Sequence, residues 1–106
     1  MKVHREPGSE FLEKVYENAL AVELARRGLG IERQKPVTVH YKAEAVGEYQ
    51  ADLVVENVVL VELKSVEKMA NAHYSQMVNY LKATGMNVGF LINFGAPSLE
   101  WKRVVN

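Results

Sequence analysis

The fold of this chain is decided by the stretch Asp52-Leu53-Val54-Val55-Glu56-Asn57-Val58-Val59-Leu60-Val61-Glu62-Leu63-Lys64. Two runs rich in β-branched residues flank a short polar break, and this pattern predicts a β-hairpin. Charged residues stand at both ends of the predicted hairpin. Asp52 precedes the first run, and Glu62 and Lys64 close the second. Burying a charge is costly unless it is paired or binds a metal, so these three residues are candidates for a functional site.

The length of the turn decides whether the two carboxylates face each other. Glu62 and Lys64 share one face because side chains alternate along a strand. A loop of two residues turns Asp52 away from Glu62, whereas a loop of three, residues 56–58, places Asp52 opposite Glu62. Because Asn57 tolerates the left-handed backbone that three-residue loops usually need, we predict the three-residue loop.

The three charges suit a metal site, because two facing carboxylates repel unless a cation lies between them. Mg²⁺ takes oxygen ligands and keeps several of its waters, so it fits this donor set. Lys64 beside such an ion could activate a water or stabilise negative charge on a phosphate. The competing interpretation is an ion pair of Lys64 with Asp52 or Glu62 at a strand end, which an acid-x-lysine pattern by itself favours.

This arrangement resembles the PD-(D/E)XK nuclease superfamily, in which one core strand carries an acid and the next carries acid-x-lysine. Five segments resemble, in chain order, motifs of the GxxExxY family, a bacterial and archaeal branch of that superfamily. They are residues 11–17, 47–53, 61–64, 76–81 and 89–95. Two departures lie near the start, where Glu10 replaces the first glycine of the naming motif and Pro7 replaces an aliphatic residue. Members usually have a longer N-terminal helix, which indicates a truncated or misassigned start here.

The resemblance implies a role for each residue of the site. Asp52, Glu62 and the carbonyl group of Leu63 would hold one Mg²⁺ or Mn²⁺. Glu13 would be a third carboxylate that faces the metal, acting directly or through a water, unless it is simply a solvated glutamate. Lys64 would position the attacking water and stabilise the charge on the phosphate.

On the first helix, predicted over residues 11–27 with Ser9 as N-cap, Glu13 and Glu17 share one face. We expect Glu17 to pair with Lys14 or to face solvent. The apolar spacing also predicts which residues form the buried side of this helix. They are Leu12, Val15, Tyr16, Ala19 and Leu20.

The second predicted helix carries three further candidates, because His73, Gln76 and Tyr80 fall on one face. Gln76-x-x-x-Tyr80 resembles a motif of the exonuclease-like branch of the superfamily, which implies a catalytic role for Gln76 near metal and substrate. It also places Tyr80 near the phosphate, and His73 is a candidate contact to phosphate or to a catalytic water. The structural alternatives are a core tyrosine, an exposed glutamine and a structural histidine.

The whole chain predicts the order helix, three strands, helix, two strands. The second helix is predicted over residues 69–84, closed by Gly85, and the strands over 31–41, with an interruption at Pro36, 48–55, 58–63, 88–93 and 99–105. This order is similar to the restriction-endonuclease-like αβββαβ core, an α/β (α+β) fold with a mixed central sheet flanked by helices. Residues 1–106 are therefore predicted to form a single PD-(D/E)XK nuclease-like domain.

Composition narrows the class of protein. The 106 residues are 48% hydrophobic and 25% charged, which is ordinary for one soluble globular domain. The sequence has no cysteine, so disulfides and thiolate metal sites are excluded. Without an apolar run of membrane-spanning length or a signal peptide, we expect a cytoplasmic protein. The net charge of zero argues against tight, stand-alone binding to DNA.

Together these features predict a metal-dependent nuclease that hydrolyses phosphodiester bonds in nucleic acid. DNA is favoured over RNA as the substrate, and a homodimer is the expected working form. A catalytically silent binding or accessory protein with a nuclease fold is the alternative, which the neutral charge and the altered N-terminus favour. A small-molecule phosphate hydrolase that uses the same site is a third interpretation.

Overall fold

The structure, a computed structural model, describes residues 8–106 and the side chains of residues 11–106. Its elements are α1 (Gly8–Arg26), β1 (Ile31–Tyr41), β2 (Glu44–Val55), β3 (Val59–Lys64), α2 (Asn71–Thr84), β4 (Val88–Asn93) and β5 (Glu100–Val105). The predicted element order and the α+β class are confirmed. Pro7 lies outside the described residues. Neither helix of the described part of the chain is long and apolar enough to cross a membrane.

The five strands form one mixed sheet in the order β1-β2-β3-β4-β5. Only the β3–β4 pair is parallel among the pairings of the described strands, and α2 makes the crossover between them, as parallel strands require. The two helices lie on opposite faces. One core, between α2 and the sheet, includes Leu60, Leu81 and Leu91. The other, beneath α1, includes Leu53 and Leu63.

The turn between β2 and β3 has the predicted length, because Val55 pairs with Val59 across it. Both Glu56 and Asn57 have positive φ angles, of 55° and 57°, so the turn needs two left-handed residues rather than one. Glu56 is an unfavourable residue for that conformation. Its side chain accepts a hydrogen bond from the N–H of Gly30, and its own N–H donates to the Gly30 carbonyl at 2.7 Å. These contacts offset the strain.

The first strand continues through Pro36, where the sequence predicted an interruption. Pro36 lies opposite Gln50 within the β1–β2 register. Because β1 is the edge strand of the sheet, a proline there can lack its N–H without removing an interior ladder bond. The predicted break is therefore wrong, and β1 is one continuous strand.

The predicted buried side of α1 is wrong in part. Leu12 and Val15 are 37% and 47% exposed, and Ala19 is also exposed. Tyr16 and Leu20 do pack against the sheet, as predicted. Gly8, the first described residue, is already helical, so Ser9 lies inside the helix and is not the N-cap. The inward face instead carries Glu17 and Ala21, which are 3% and 4% exposed.

The second helix is shorter than predicted, beginning at Asn71 instead of residue 69. Met69 belongs to the loop before the helix and packs into the core. The predicted end is confirmed, because Gly85 has a φ of 76° and its N–H donates to the carbonyl of Leu81. A left-handed residue at this position is the usual helix ending, and glycine adopts it without steric cost.

Buried Asn93 joins the ends of β3 and β4 through its side chain. Its Oδ1 accepts hydrogen bonds from the N–H groups of Val66 and Gly95, each at 3.0 Å. Its Nδ2 donates to Oε1 of Glu100 at 2.8 Å. Because Val66 lies two residues beyond Lys64, this network fixes the direction in which the chain leaves the acid-x-lysine segment.

We expect Gly95→Ala to destabilise the protein by about 1–3 kcal/mol, the cost of overpacking a close contact. A Cβ at this position would lie 2.6 Å from the backbone nitrogen of Val66, and backbone cannot move aside as a flexible side chain can. Denaturant unfolding measures the change. Gly47→Ala is the matched control, since a Cβ there meets nothing within 4 Å. Equal stability of the two variants would show that the backbone around Val66 shifts at little cost.

Candidate active site

The two acids lie directly beyond the point where the β2–β3 ladder ends, at the pair Leu53–Val61. Oδ2 of Asp52 accepts a hydrogen bond from the N–H of Leu63 at 2.8 Å. Oε2 of Glu62 accepts one from the N–H of Asp52 at 3.0 Å. Each carboxylate thus accepts a hydrogen bond from a main-chain N–H of the opposite strand, where a regular β-ladder would use a main-chain carbonyl. The structure therefore brings the two acids together, as predicted.

Both carboxyl groups are harder to ionise than usual. Burial is the largest influence on the pKa of Asp52 and raises it, although the hydrogen bond from Leu63 opposes part of the rise. Burial, followed by the charge of Asp52, raises the pKa of Glu62 to about 8. Two neighbouring carboxyl groups that resist joint ionisation favour a cation between them.

Lys64 and Glu13 complete the charged group. Lys64 is half-buried on β3, and its positive charge lowers the pKa of both Asp52 and Glu62. Glu13, on α1, slightly raises the pKa of Glu62 by its negative charge. Glu13 and Asp52 also line one cleft of about 200 Å³ between α1 and the sheet, together with Leu63. The predicted first-helix and hairpin residues therefore converge.

Two further residues of this cleft, Glu17 and Gln34, were not predicted as part of the site. Oε2 of Glu17 lies 3.1 Å from Nη2 of Arg33 and 3.6 Å from Nζ of Lys14. Nε2 of Gln34 donates to Oε1 of Glu17 at 2.6 Å and to Oδ1 of Asp52 at 3.4 Å. The predicted pairing with Lys14 is confirmed, but the predicted solvent exposure of Glu17 is wrong.

Gln34 holds a strained backbone at the centre of these contacts. Its φ angle is 50°, a region that non-glycine residues seldom adopt. Such strain persists where surrounding contacts fix it, and it is concentrated at functional sites. The sequence offered a signal for Glu17, which lies four residues after Glu13 on the same helix face, but none for Gln34.

We expect Glu17→Ala to lower the free energy of unfolding by about 2 kcal/mol, the scale of buried hydrogen bonds to a charged group. The change removes the acceptor that joins α1 to Arg33 and Gln34 on β1. Urea unfolding provides the measurement. Glu23→Ala is the control, because Glu23 is exposed and, in the contacts described for it, pairs only with Arg27 just past the end of α1, at 3.8 Å. Losses of equal size would contradict a structural role for Glu17.

The α2 side of the site carries Gln76 and Tyr80. Tyr80 stacks on Tyr49 with 3.5 Å between ring centroids, and the side chain of Gln76 lies near the Tyr80 hydroxyl and lowers its pKa. Burial raises the pKa of each tyrosine, and the charge of Glu62 raises it further, which shows that both rings lie near that acid. The hydroxyl of Tyr49 is buried and has no hydrogen-bond partner within the described part of the chain. Gln76 itself is exposed.

His73 has a structural role in addition to any contact with substrate. Its Nδ1 accepts a hydrogen bond from the N–H of Ala70 at 2.9 Å, at the start of α2. Ala70 has no side chain that could cap the helix, so the histidine satisfies one backbone donor. Burial, followed by the nearby charge of Lys64, lowers the pKa of His73. The imidazole therefore lies at the edge of the site, and its contact with a phosphate stays a prediction.

The donor set fits a divalent ion that keeps several waters. Asp52 and Glu62 supply carboxylate oxygens and Leu63 a carbonyl oxygen, which are the ligands that Mg²⁺ and Mn²⁺ accept. Among the side chains described, no three from histidine, aspartate and glutamate are close enough to form a metal cluster. The part of Glu13 as a metal ligand, directly or through a water, stays a prediction.

A family model of the PD-(D/E)XK nuclease superfamily matches residues 1–104. The chain belongs to this superfamily. PD-(D/E)XK nucleases generally depend on divalent metals and act on nucleic acid, which agrees with the geometry of Asp52, Glu62 and Lys64. A search of curated proteins finds no match.

Two solved structures share the fold of this PD-(D/E)XK protein. The crystal structure of SSO0001 is 15% identical, with a TM-score of 0.69 over 94% of this chain and 52% of that one. The alkaline exonuclease LHK-Exo from Laribacter hongkongensis is 14% identical, with a TM-score of 0.61 over 88% of this chain and 55% of that one. The chain thus spans about half the length of either structure.

Proposed function

We propose that this protein is a nuclease that hydrolyses phosphodiester bonds with Mg²⁺ or Mn²⁺, that DNA is its preferred substrate, and that it belongs to the GxxExxY branch. The observation that carries the proposal is the group formed by Asp52, Glu62 and Lys64. Buried Glu62 and half-buried Asp52, whose pKa values are both raised, lie beside one lysine just beyond the end of the β2–β3 ladder. A purely structural hairpin has no need of this costly arrangement.

Each residue has a part that follows from its position. Asp52, Glu62 and the carbonyl of Leu63 would hold the ion, which supplies stabilisation of negative charge on the phosphate. The ammonium group of Lys64, on the same face of β3 as Glu62, orients the attacking water and stabilises the charge that develops on the phosphate. Glu13 would assist from the α1 side, either directly or through a water.

A groove leads away from the site and offers room for a nucleic-acid strand. Its volume is about 920 Å³, and it runs between α2 and β1 from Gln76 and Tyr80 towards His40 and Lys82. Lys82 and His40 suit phosphate oxygens, while the ring of Tyr80 suits a base or sugar. Such a mixture of cationic and apolar contacts is typical of sites for single-stranded nucleic acid. Gln76 and Tyr80 therefore connect the groove with the metal-binding acids.

The alternative of a catalytically silent, nucleic-acid-binding member is favoured by two observations. The net charge is zero, and among the described side chains no three of histidine, aspartate or glutamate are placed to share one metal ion. Binding of nucleic acid that survives Glu62→Ala and Lys64→Ala, without cleavage by the wild type, is the behaviour expected of such a protein.

A cleavage assay tests the proposal. End-labelled single-stranded, duplex and branched DNA, and RNA, are incubated with Mg²⁺ or Mn²⁺ and with wild type, Asp52→Ala or Lys64→Ala. Cleavage by the wild type alone is the expected result, and it also identifies the substrate. Equal cleavage by all three proteins would indicate a contaminating nuclease. The absence of both cleavage and a metal-dependent rise in melting temperature would overturn the proposal.

A further inference from the structure

The helix α1 carries an exposed apolar stripe along the side that faces away from its own sheet. Phe11, Leu12, Val15 and Val22 are 68%, 37%, 47% and 56% exposed. Together with exposed Ala19, the spacing of three and four residues from Leu12 to Val22 places them along one side of the helix. Apolar stripes of this kind normally lie against another element, so we call this surface the α1 back.

The sheet has a second exposed apolar surface on the same side. Helix α1 packs mainly on β1, β2 and β3, and its Tyr16 also stacks on Phe94 just beyond β4, so the start of β4 and the whole of β5 are the least covered part of the sheet. On β4 and β5 the alternation that places Ile92 beneath α1 also directs Phe90 to this side, with Trp101 and Val105 beside them. Trp101 is 63% and Val105 55% exposed, and the rings of Phe90 and Trp101 lie 6.2 Å apart. We call this surface the β4–β5 face.

We propose that two copies of this chain form a symmetric dimer, in which the α1 back of each copy packs on the β4–β5 face of the other. Each sheet would then carry two helices, its own α1 over β1–β3 and the partner's α1 over β4–β5. The two sheets form the outer layers, and the two helices lie side by side between them.

The dimensions of the two surfaces match. Two strands of a sheet are about 10 Å wide and a helix with its side chains is about 10–12 Å in diameter. The uncovered part of the sheet therefore has room for one helix. The apolar side chains of the α1 back can be buried against an apolar sheet, and those of the β4–β5 face can be buried against an apolar helix.

Symmetry favours a second copy over an unrelated partner. Both surfaces lie on the same side of one sheet. A dimer with a single two-fold axis therefore buries the α1 back and the β4–β5 face of both copies at once. Two charges also agree: exposed Arg103 lies between Trp101 and Val105 on the edge strand of the β4–β5 face, and exposed Glu23 lies on α1 next to the α1 back. An unrelated protein would have to supply both an apolar helix and an apolar sheet.

Sedimentation equilibrium on the full chain tests the proposal. The wild type is expected to be a dimer, and Val22→Glu or Trp101→Lys is expected to weaken self-association at least about tenfold, as for a central apolar contact. Val58→Glu is the matched control. Val58 is 58% exposed, close to the 56% of Val22, but lies in the β2–β3 turn and lines a cleft with Thr84 and Met86 at the end of α2. Circular dichroism and thermal unfolding verify that each variant folds.

Mixing the two variants gives the decisive result. In a mixed dimer one glutamate at position 22 faces one lysine at position 101, and the other contact keeps the wild-type residues, so association is expected to recover. A monomeric wild type would overturn the proposal. So would a dimer that resists both variants, or one that Val22→Glu dissociates but Trp101→Lys does not, since that pattern indicates pairing of the two α1 helices with each other.

Discussion

Replacing Lys64 by methionine is expected to lower the rate of phosphodiester cleavage about 10²- to 10³-fold, the usual loss when one group that stabilises transition-state charge is removed. Methionine keeps much of the length of the side chain and removes the ammonium group. The variant should still bind the metal, because Asp52, Glu62 and the Leu63 carbonyl remain. The rise in melting temperature with Mg²⁺ should therefore persist, and can even grow, since a positive charge beside the ion has gone.

Single-turnover cleavage and metal-dependent thermal unfolding, measured on the same preparations, separate the two effects. Lys68→Met is the control, because Lys68 is an exposed lysine only four residues further along the chain. It should cleave at the wild-type rate. A Lys64→Met variant that also keeps the wild-type rate would remove Lys64 from the mechanism. Loss of the Mg²⁺ effect as well would show that Lys64 supports the site instead of acting on the substrate.

Without metal, the protein is expected to become less stable as the pH rises from about 4.5 to about 8. The ordinary pKa of the Glu62 carboxyl is 4.5, and in the folded protein it is raised to about 8, chiefly by burial. Across this range the folded state keeps a proton that the unfolded state has lost, so each rise in pH favours unfolding. Burial raises the pKa of Asp52 too and adds to the same trend.

Glu62→Gln is expected to remove most of this pH dependence and to raise the free energy of unfolding at pH 7–8 by on the order of 3 kcal/mol. Glutamine cannot ionise and has nearly the same shape as the protonated acid. Urea unfolding across the pH range, with a chelator present, measures both effects. Glu48→Gln is the control, since Glu48 is exposed on β2. A slope that Glu62→Gln leaves unchanged would assign the effect to another group.

Mg²⁺ should reverse the trend in the wild type. Metal binding needs ionised carboxylates, so the stabilisation that Mg²⁺ provides is expected to increase as the pH rises towards 8. Glu62→Gln should lose this stabilisation. Glu62→Gln would therefore make the metal-free protein more stable and weaken its binding of Mg²⁺. A gain in stability with a loss of activity is expected where a buried acid is unfavourable for folding but needed for function.

The hairpin and its acids could be predicted because the signals are local. Alternating and continuous β-branched runs predict strands, and the polar break predicts the turn that places Asp52 opposite Glu62. The end of α2 at Gly85 is equally local. The face of α1 that packs on the sheet was harder, because apolar spacing favoured Leu12 and Val15, which are exposed.

The sequence by itself determined the order of elements and the positions of Asp52, Glu62 and Lys64, since each depends on periodicity and turn length over a few residues. Only the tertiary structure decided that Glu17 is buried and that Gln34 adopts a left-handed backbone. Burying a carboxylate is favourable only where partners from a distant strand neutralise and bond it, and here those partners are Arg33 and Gln34 of β1. No window of sequence around residue 17 contains them.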